Sequence, residues 1–211
     1  MPNWVEQQVT IKSDDASKIA NILNTVRSLD DEGNEVFNLA MKIAPMPEEI
    51  ANVFGTGDDT KWIIDIKTNE KIDLSLDDWF ADKDKTEQER GWKAIAITSK
   101  EREALREKYG ASDWYAWNNK NYGTKWGDCR TQLIKNEPNE ICFDYDSAWS
   151  PAIPISALIV EKFKVDVIHK FFSIENMDEG KYVFKNGHLT ETWWKELDYS
   201  IFEDEQDDKK K

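Results

Sequence analysis

Lys125-Trp126-Gly127-Asp128-Cys129-Arg130-Thr131-Gln132-Leu133-Ile134-Lys135, then a break at Pro138-Asn139, then Ile141-Cys142-Phe143-Asp144-Tyr145: the fold turns on this stretch. Proline presets its own φ and asparagine bonds to the nearby backbone, so the break is a turn between two strands. A connection this short permits only an antiparallel hairpin. Side chains alternate across a strand, which puts Ile141, Phe143 and Tyr145 on one face and Cys142, Asp144 and Asp146 on the other.

Downstream, Pro151 and Pro154 introduce a helix bearing Leu158, Ile159 and Phe163, and Val165 to Ile174 and Lys181 to Phe184 are the closing strands. Phe171 and Phe172 are neighbours, so that first closing strand is apolar on both faces. Such a sheet is either covered on both faces or presents a binding surface. Upstream, Lys100 to Tyr109 is helical, Gly110 interrupts, and Ser112 caps a short helix with Trp114 and Trp117 that Gly123 ends. Trp92 to Thr98 alternates at Ile95 and Ile97 as a strand does, or extends the helix backwards. Counted from a strand at Trp92, the order is strand, helix, strand, strand, helix, strand. That is the split β-α-β pattern of a ferredoxin-like sandwich, and the fold class is α+β.

The amino-terminal part reads as a strand over Trp4 to Lys12 and a helix from Asp15 to Ser28 with Ile19, Ile22, Leu23 and Val26 at helical spacing. A strand over Val36 to Ile43 and a short helix from Pro47 follow. Trp62 to Lys67 and Ile72 to Leu76 form an inserted hairpin, and Asp82 to Arg90 is an exposed loop. The expected division is residues 1–90, an α/β portion packed against the rest; 91–202, the ferredoxin-like domain; and 203–211, a charged disordered tail.

Acidic residues outnumber basic ones 42 to 28, for a net charge of −14. That balance repels phosphate backbones and anionic lipid, so direct nucleic-acid or membrane binding is not expected and a partner with a basic surface is. No apolar run approaches the length of a membrane span and no secretory leader is visible, which predicts a cytoplasmic protein. Cys129 and Cys142 sit on opposite hairpin arms without facing each other, so they stay free.

Catalytic patterns are missing. His169 and His188 are the only histidines, and no Cys-x-x-Cys, His-Glu-x-x-His, phosphate-cradling glycine loop or nucleophile elbow occurs. Neither a metal nor a cofactor is expected. Trp114, Trp117, Trp126 and Trp149, interleaved with Asn118, Tyr122, Lys125 and Asp144, are either a local core or an aromatic cleft for a flat ligand or a partner's side chain. Asp58, Asp59, Asp77, Asp78 and Asp82 are the candidates for an acidic interaction surface.

Four stretches in order carry a family resemblance: Pro2-Asn3-Trp4; Ile43-Ala44-Pro45-Met46-Pro47-Glu48-Glu49; Asp113-Trp114-Tyr115-Ala116-Trp117-Asn118 with Asn121-Tyr122-Gly123-Thr124-Lys125-Trp126; and Phe143-Asp144 with Ser147-Ala148-Trp149-Ser150-Pro151. Together they resemble the YubB-type ferredoxin-like proteins of bacteriophages and plasmids. The resemblance is densest from Ser112 to Phe163 and skips Gly55 to Lys100. It departs at Val5, where the family places a cysteine, and around Asn176 to Gly180, which lacks the family's Gly-Met-Gly character. It implies the fold, a mobile-element setting and a bacterial host cytoplasm. By analogy, the expected function is non-enzymatic: inhibition or modulation of a host protein, such as a defence nuclease or CRISPR effector, through the acidic surface. The alternative is a small-ligand or nucleotide-binding protein, sequestering or enzymatic, built on the tryptophan cleft.

Overall fold

Strand β1 (Trp4–Lys12) buries Val5, Gln7, Val9 and Ile11 and leaves Trp4, Glu6, Gln8, Thr10 and Lys12 more open, the two-residue period of a strand with one face on a core. Helix α1 (Ala16–Val26) is capped by Asp15, whose carboxylate accepts the Ser17 amide at 2.9 Å, and buries the stripe Ile19, Ile22, Leu23 and Val26. A short hairpin of β2 (Arg27–Leu29) and β3 (Glu35–Phe37) leads into the helical turn α2 (Leu39–Ile43). The computed structural model describes residues 2–51, 53, 60–72, 81, 82 and 84–198. It divides into two compact units, one of Met1–Pro45 with Asn121–Lys211 and one of Met46–Lys120.

The second unit holds α3 (Glu48–Ala51), β4 (Thr60–Asp65), β5 (Lys71–Ile72), α4 (Glu87–Arg90), β6 (Trp92–Ala96), α5 (Ser99–Tyr109) and most of α6 (Trp114–Asn121). Its strands form one antiparallel sheet in the order β5-β4-β6. Two capping boxes start its helices, Thr86 with Glu89 and Thr98 with Glu101. Lys61 adds a 2.6 Å ion pair to Glu101, and this lysine, ahead of the Thr98 cap, holds the Glu101 carboxyl down at about 2.

The first unit is completed by β7 (Cys129–Glu137), β8 (Glu140–Ala148), α7 (Ile153–Phe163), β9 (Asp166–Ser173), β10 (Asp178–Lys185) and β11 (His188–Glu196). All six of its long strands pair antiparallel in the order β11-β10-β9-β1-β8-β7. Taken alone, β9-β1-β8-β7 with α1 and α7 is the ferredoxin-like arrangement, and β10 and β11 extend it beyond β9. Val9 lies opposite both Phe143 and His169 in register. Ile11, Ile141, Phe143 and Val167 share one buried cluster with Ile22, Val26, Ile155 and Ile159 from the two helices, and Phe37 adds a ring contact to Phe143 at 5.6 Å.

The hairpin and its parity, α7 and the closing strands lie where the sequence predicts them. The first strand of the ferredoxin-like pattern does not. Trp92–Ala96 pairs with β4 in the other unit's sheet, and β1 occupies the central position between β8 and β9. The physical reason lies in the helices that follow each strand. Helix α5 buries no residue fully and has only Leu105 and Tyr109 as half-buried apolar groups, a weaker apolar face than the four-residue stripe of α1. The described strands of this sheet number six, and the chain's two compact units divide at 45/46 and 120/121. Smaller corrections follow: residues 39–43 are helical where a strand was expected, and 87–90 form a capped helical turn inside the expected loop. The expected tail, 203–211, lies outside the described residues, as do positions 73–76 of the expected hairpin.

Candidate functional site

In the first unit, α1 and α7 pack on the face of the sheet that carries the odd-numbered residues of β1. The opposite face presents the intervening side chains of six strands, and a groove of about 840 Å³ runs across it. Register sets its floor: Glu6 opposes Asp146 on one side and Phe172 on the other, and Gln8 opposes Asp144 and Lys170. Like charges directly opposite each other repel, and Arg130 offsets the Glu6–Asp146 pair by bridging Asp146 at 2.7 Å. Asp144 accepts a hydrogen bond from Gln8 Nε2 at 3.2 Å. Towards β11, Lys181 bridges Glu191 at 2.5 Å, Lys195 bridges Glu179 at 2.8 Å, and Trp193 stands beside them. Among the groove's lining residues the carboxylates Glu6, Asp144, Asp146, Glu179 and Glu191 outnumber the cations Arg130, Lys170 and Lys181.

The eight residues grouped from the sequence as an aromatic site fall in both units. Asp144 is on the groove floor. Trp126 stacks on Trp4 with ring centroids 6.1 Å apart, Lys125 Nζ lies 4.4 Å above the Trp126 ring, and the Arg130 guanidinium lies 4.8 Å above Trp4. This is a packed stack. Trp149 is half exposed in left-handed geometry at φ 77, with its amide on the Asn3 carbonyl and its carbonyl accepting from the Asn176 side chain. Tyr122 is core: its hydroxyl donates to the Ala44 carbonyl at 2.8 Å. In the other unit Trp117 meets Tyr109 edge-on at 6.4 Å, Trp114 meets Tyr115 at 5.8 Å, and Asn118 is buried. Of the acidic candidates, Asp82 is held by Lys85 at 2.6 Å, and this contact lowers its carboxyl from the ordinary value. Asp58, Asp59, Asp77 and Asp78 lie outside the described residues.

Beneath the groove floor sits a buried polar chain that the sequence did not announce. Gln7 Oε1 accepts the Ala152 amide at 2.8 Å, which fixes it as the oxygen, so His169 must present Nε2–H to it across 2.6 Å. His169 Nδ1 then accepts from the Ser156 hydroxyl at 2.7 Å. Burial alone holds the imidazole neutral, down to about 3. Ser156 and His169 have the contact of a nucleophile and its base, but both are fully buried, and no substrate reaches them. Near the start of β7, burial lifts the Asp128 carboxyl to about 7, against the pull of the Ala40 and Leu39 amides that it caps. Both thiols are free and are pushed up by burial, the opposite of a reactive cysteine. Among the described residues no group of His, Cys, Asp and Glu is placed to hold a metal ion, and no helix is long and apolar enough to cross a membrane.

Within the first unit, the topology is that of a ferredoxin-like α+β domain, with the groove on the sheet face opposite α1 and α7. Residues 116–211 match the family model described as the ferredoxin-like domain in Api92-like protein. A solved structure similar to this chain is the crystal structure of a protein Api92 from Yersinia pseudotuberculosis, at 11% identity over 94% of this chain and 99% of that one, with a TM-score of 0.47. No curated protein matches.

Proposed function

We propose that this is a non-enzymatic binding protein that docks on the basic surface of a partner protein and modulates or inhibits it. One observation carries the reading: the sheet face opposite α1 and α7 carries a broad groove whose carboxylates exceed its cations, on a chain of net charge −14. Such a surface attracts lysine- and arginine-rich segments and repels phosphate. Phe172 and Trp193 give the aliphatic stems of those side chains something to lie on. A protein that itself binds nucleic acid, such as a defence nuclease or CRISPR effector, has the complementary charge. A YubB-type relationship, a phage or plasmid setting and a bacterial host cytoplasm belong to the same proposal, as does a contribution from Asp58, Asp59, Asp77, Asp78 and Asp82. The packed Trp4–Trp126 stack favours this over a slot for a flat ligand.

Affinity capture from a bacterial lysate, followed by reconstitution with the purified partner, tests it. The expected partner binds nucleic acid, is competed off by a duplex oligonucleotide, and loses affinity as salt rises from about 50 to 500 mM, because screening acts on exposed charges. Binding indifferent to both salt and oligonucleotide contradicts the proposal.

A further inference from the structure

A sheet that does not close on itself has two edge strands, each with a row of unpaired backbone N–H and C=O groups. Among the described residues they are β7 and β11. The register of β7 breaks twice, between Cys129 and Gln132 and between Leu133 and Lys135, and Arg130 sits at φ 57. Irregularities of this kind bend an edge away from further pairing. On β11 the one irregularity lies at the turn end, opposite Val183 and Phe184, and register with β10 is unbroken from Glu191 to Glu196. Every residue of β11 is exposed, including Trp193 at 44% and Trp194 at 54%. One edge is blunted and the other is regular, proline-free and carries two indoles.

We infer that β11 pairs antiparallel with β11 of a second copy of this chain, about a two-fold axis at Trp193. The charge pattern selects both the occupant and the register. In a two-fold antiparallel pair each contact occurs twice, and with Trp193 opposite its own counterpart, Glu191 of each copy faces Lys195 of the other. Both side chains lie on the groove face, where Glu191 already holds Lys181 and Lys195 holds Glu179. Across the seam this makes an alternating row, Lys181 to Glu191 to the second copy's Lys195 to its Glu179, and it occurs twice. Directly opposed side chains have Cβ atoms about 4.5–5.5 Å apart, within reach of both the ion pair and the indole pair. Moving the axis to Thr192 sets Glu191 against Trp193 and loses both new ion pairs. The two grooves then run on into each other across one twelve-stranded sheet.

Sedimentation velocity on the full chain over about 1–200 µM, the range in which a modest edge contact shows, tests the pairing near physiological salt. Monomer–dimer exchange is expected. Glu191→Lys and Lys195→Glu, each alone, set like charges across the seam twice and should weaken the dimer about tenfold. The double variant E191K/K195E restores opposite charges across the seam, while inside each copy it leaves Lys181 and Glu179 facing like charge. Recovery of dimerisation in the double variant, with circular dichroism showing all variants folded, is therefore the signature of the intermolecular pairing. A wild-type chain that stays monomeric throughout, or a double variant no stronger than the singles, overturns the inference.

Discussion

Asp128→Asn should change the slope of stability against pH, and not its height alone. In the fold burial raises this carboxyl from 3.8 to about 7. Between those values the folded chain keeps a proton that the unfolded chain has released. The group's contribution is thus complete below the unfolded value and is lost as pH rises through the folded one. Each pH unit in that window is worth ~1.4 kcal/mol, so from about pH 4.5 to 6.5 the wild type should lose about 2–3 kcal/mol here. His169 runs the other way. Its value falls from 6.5 to about 3, so its contribution is complete above the unfolded value and is lost as pH falls towards the folded one. Over the shared window the two slopes cancel, which makes the wild type deceptively flat. Asparagine keeps an oxygen for the Leu39 and Ala40 amides but has nothing to titrate, and so uncovers the His169 slope. Urea unfolding at about pH 4.5, 5.5 and 6.5, with the m-value checked for constancy, reads this directly. The difference between variant and wild type should grow in the variant's favour by about 2–3 kcal/mol across the series. An equal shift at every pH would refute the raised carboxyl.

Three further outcomes follow from the same structure. At about pH 5, where a free imidazole is protonated, His169 should show the nitrogen shifts of a neutral, Nε2-protonated ring, and an imidazolium pattern would contradict the chain from Gln7 to Ser156. Gly180→Ala should lower the melting temperature, because the new methyl group meets the Phe171 ring edge and lies 2.8 Å from the Trp193 carbonyl oxygen; overpacking of this kind costs about 1–3 kcal/mol, and an unchanged melting point would show that β10 and β11 are not so close. Tyr122→Phe removes the donor to the Ala44 carbonyl and should cost about 1–2 kcal/mol in equilibrium unfolding, whereas a neutral result would place that hydroxyl in water.

Local pattern was enough for much of this fold. The alternation of Ile141, Phe143 and Tyr145 against Cys142, Asp144 and Asp146 gave the correct faces of β8, and Ile19, Ile22, Leu23 and Val26 gave α1. Pairing was harder. The first strand of the ferredoxin-like pattern, Trp4–Lys12, is separated from β7 by the whole second unit, and nothing local connects Val9 with Phe143. Trp92–Ala96 has the periodicity of a strand and stands in the right order, so the choice depended on how strong an apolar face α5 had. Strand β11 was missed because all nine residues are exposed, which removes the alternation that marks a half-buried strand. Of the groove's charged residues, Asp144 and Asp146 were set on one strand face from the sequence, and only Asp144 stood among the site candidates. Glu6, Lys170 and Lys181 look like ordinary solvated charge until register sets them beside Phe172 and Trp193. The adjacent phenylalanines Phe171 and Phe172 were the available signal, because they marked a strand with an apolar residue on each face, one of them the groove face.

The docking face can be tested most directly by titrating the isotope-labelled full chain with an unstructured peptide of about ten residues rich in arginine and lysine, since basic side chains are the chemistry the groove should attract. The amide and indole signals of Glu6, Gln8, Asp144, Lys170, Phe172 and Trp193 should move together, with less response at higher salt. The doubly reversed variant Glu6→Lys with Asp144→Lys, folded by circular dichroism, should show no such response. Shifts that spread over the α1 and α7 side of the sheet, or that persist unchanged in the reversed variant, would contradict the groove as the docking face.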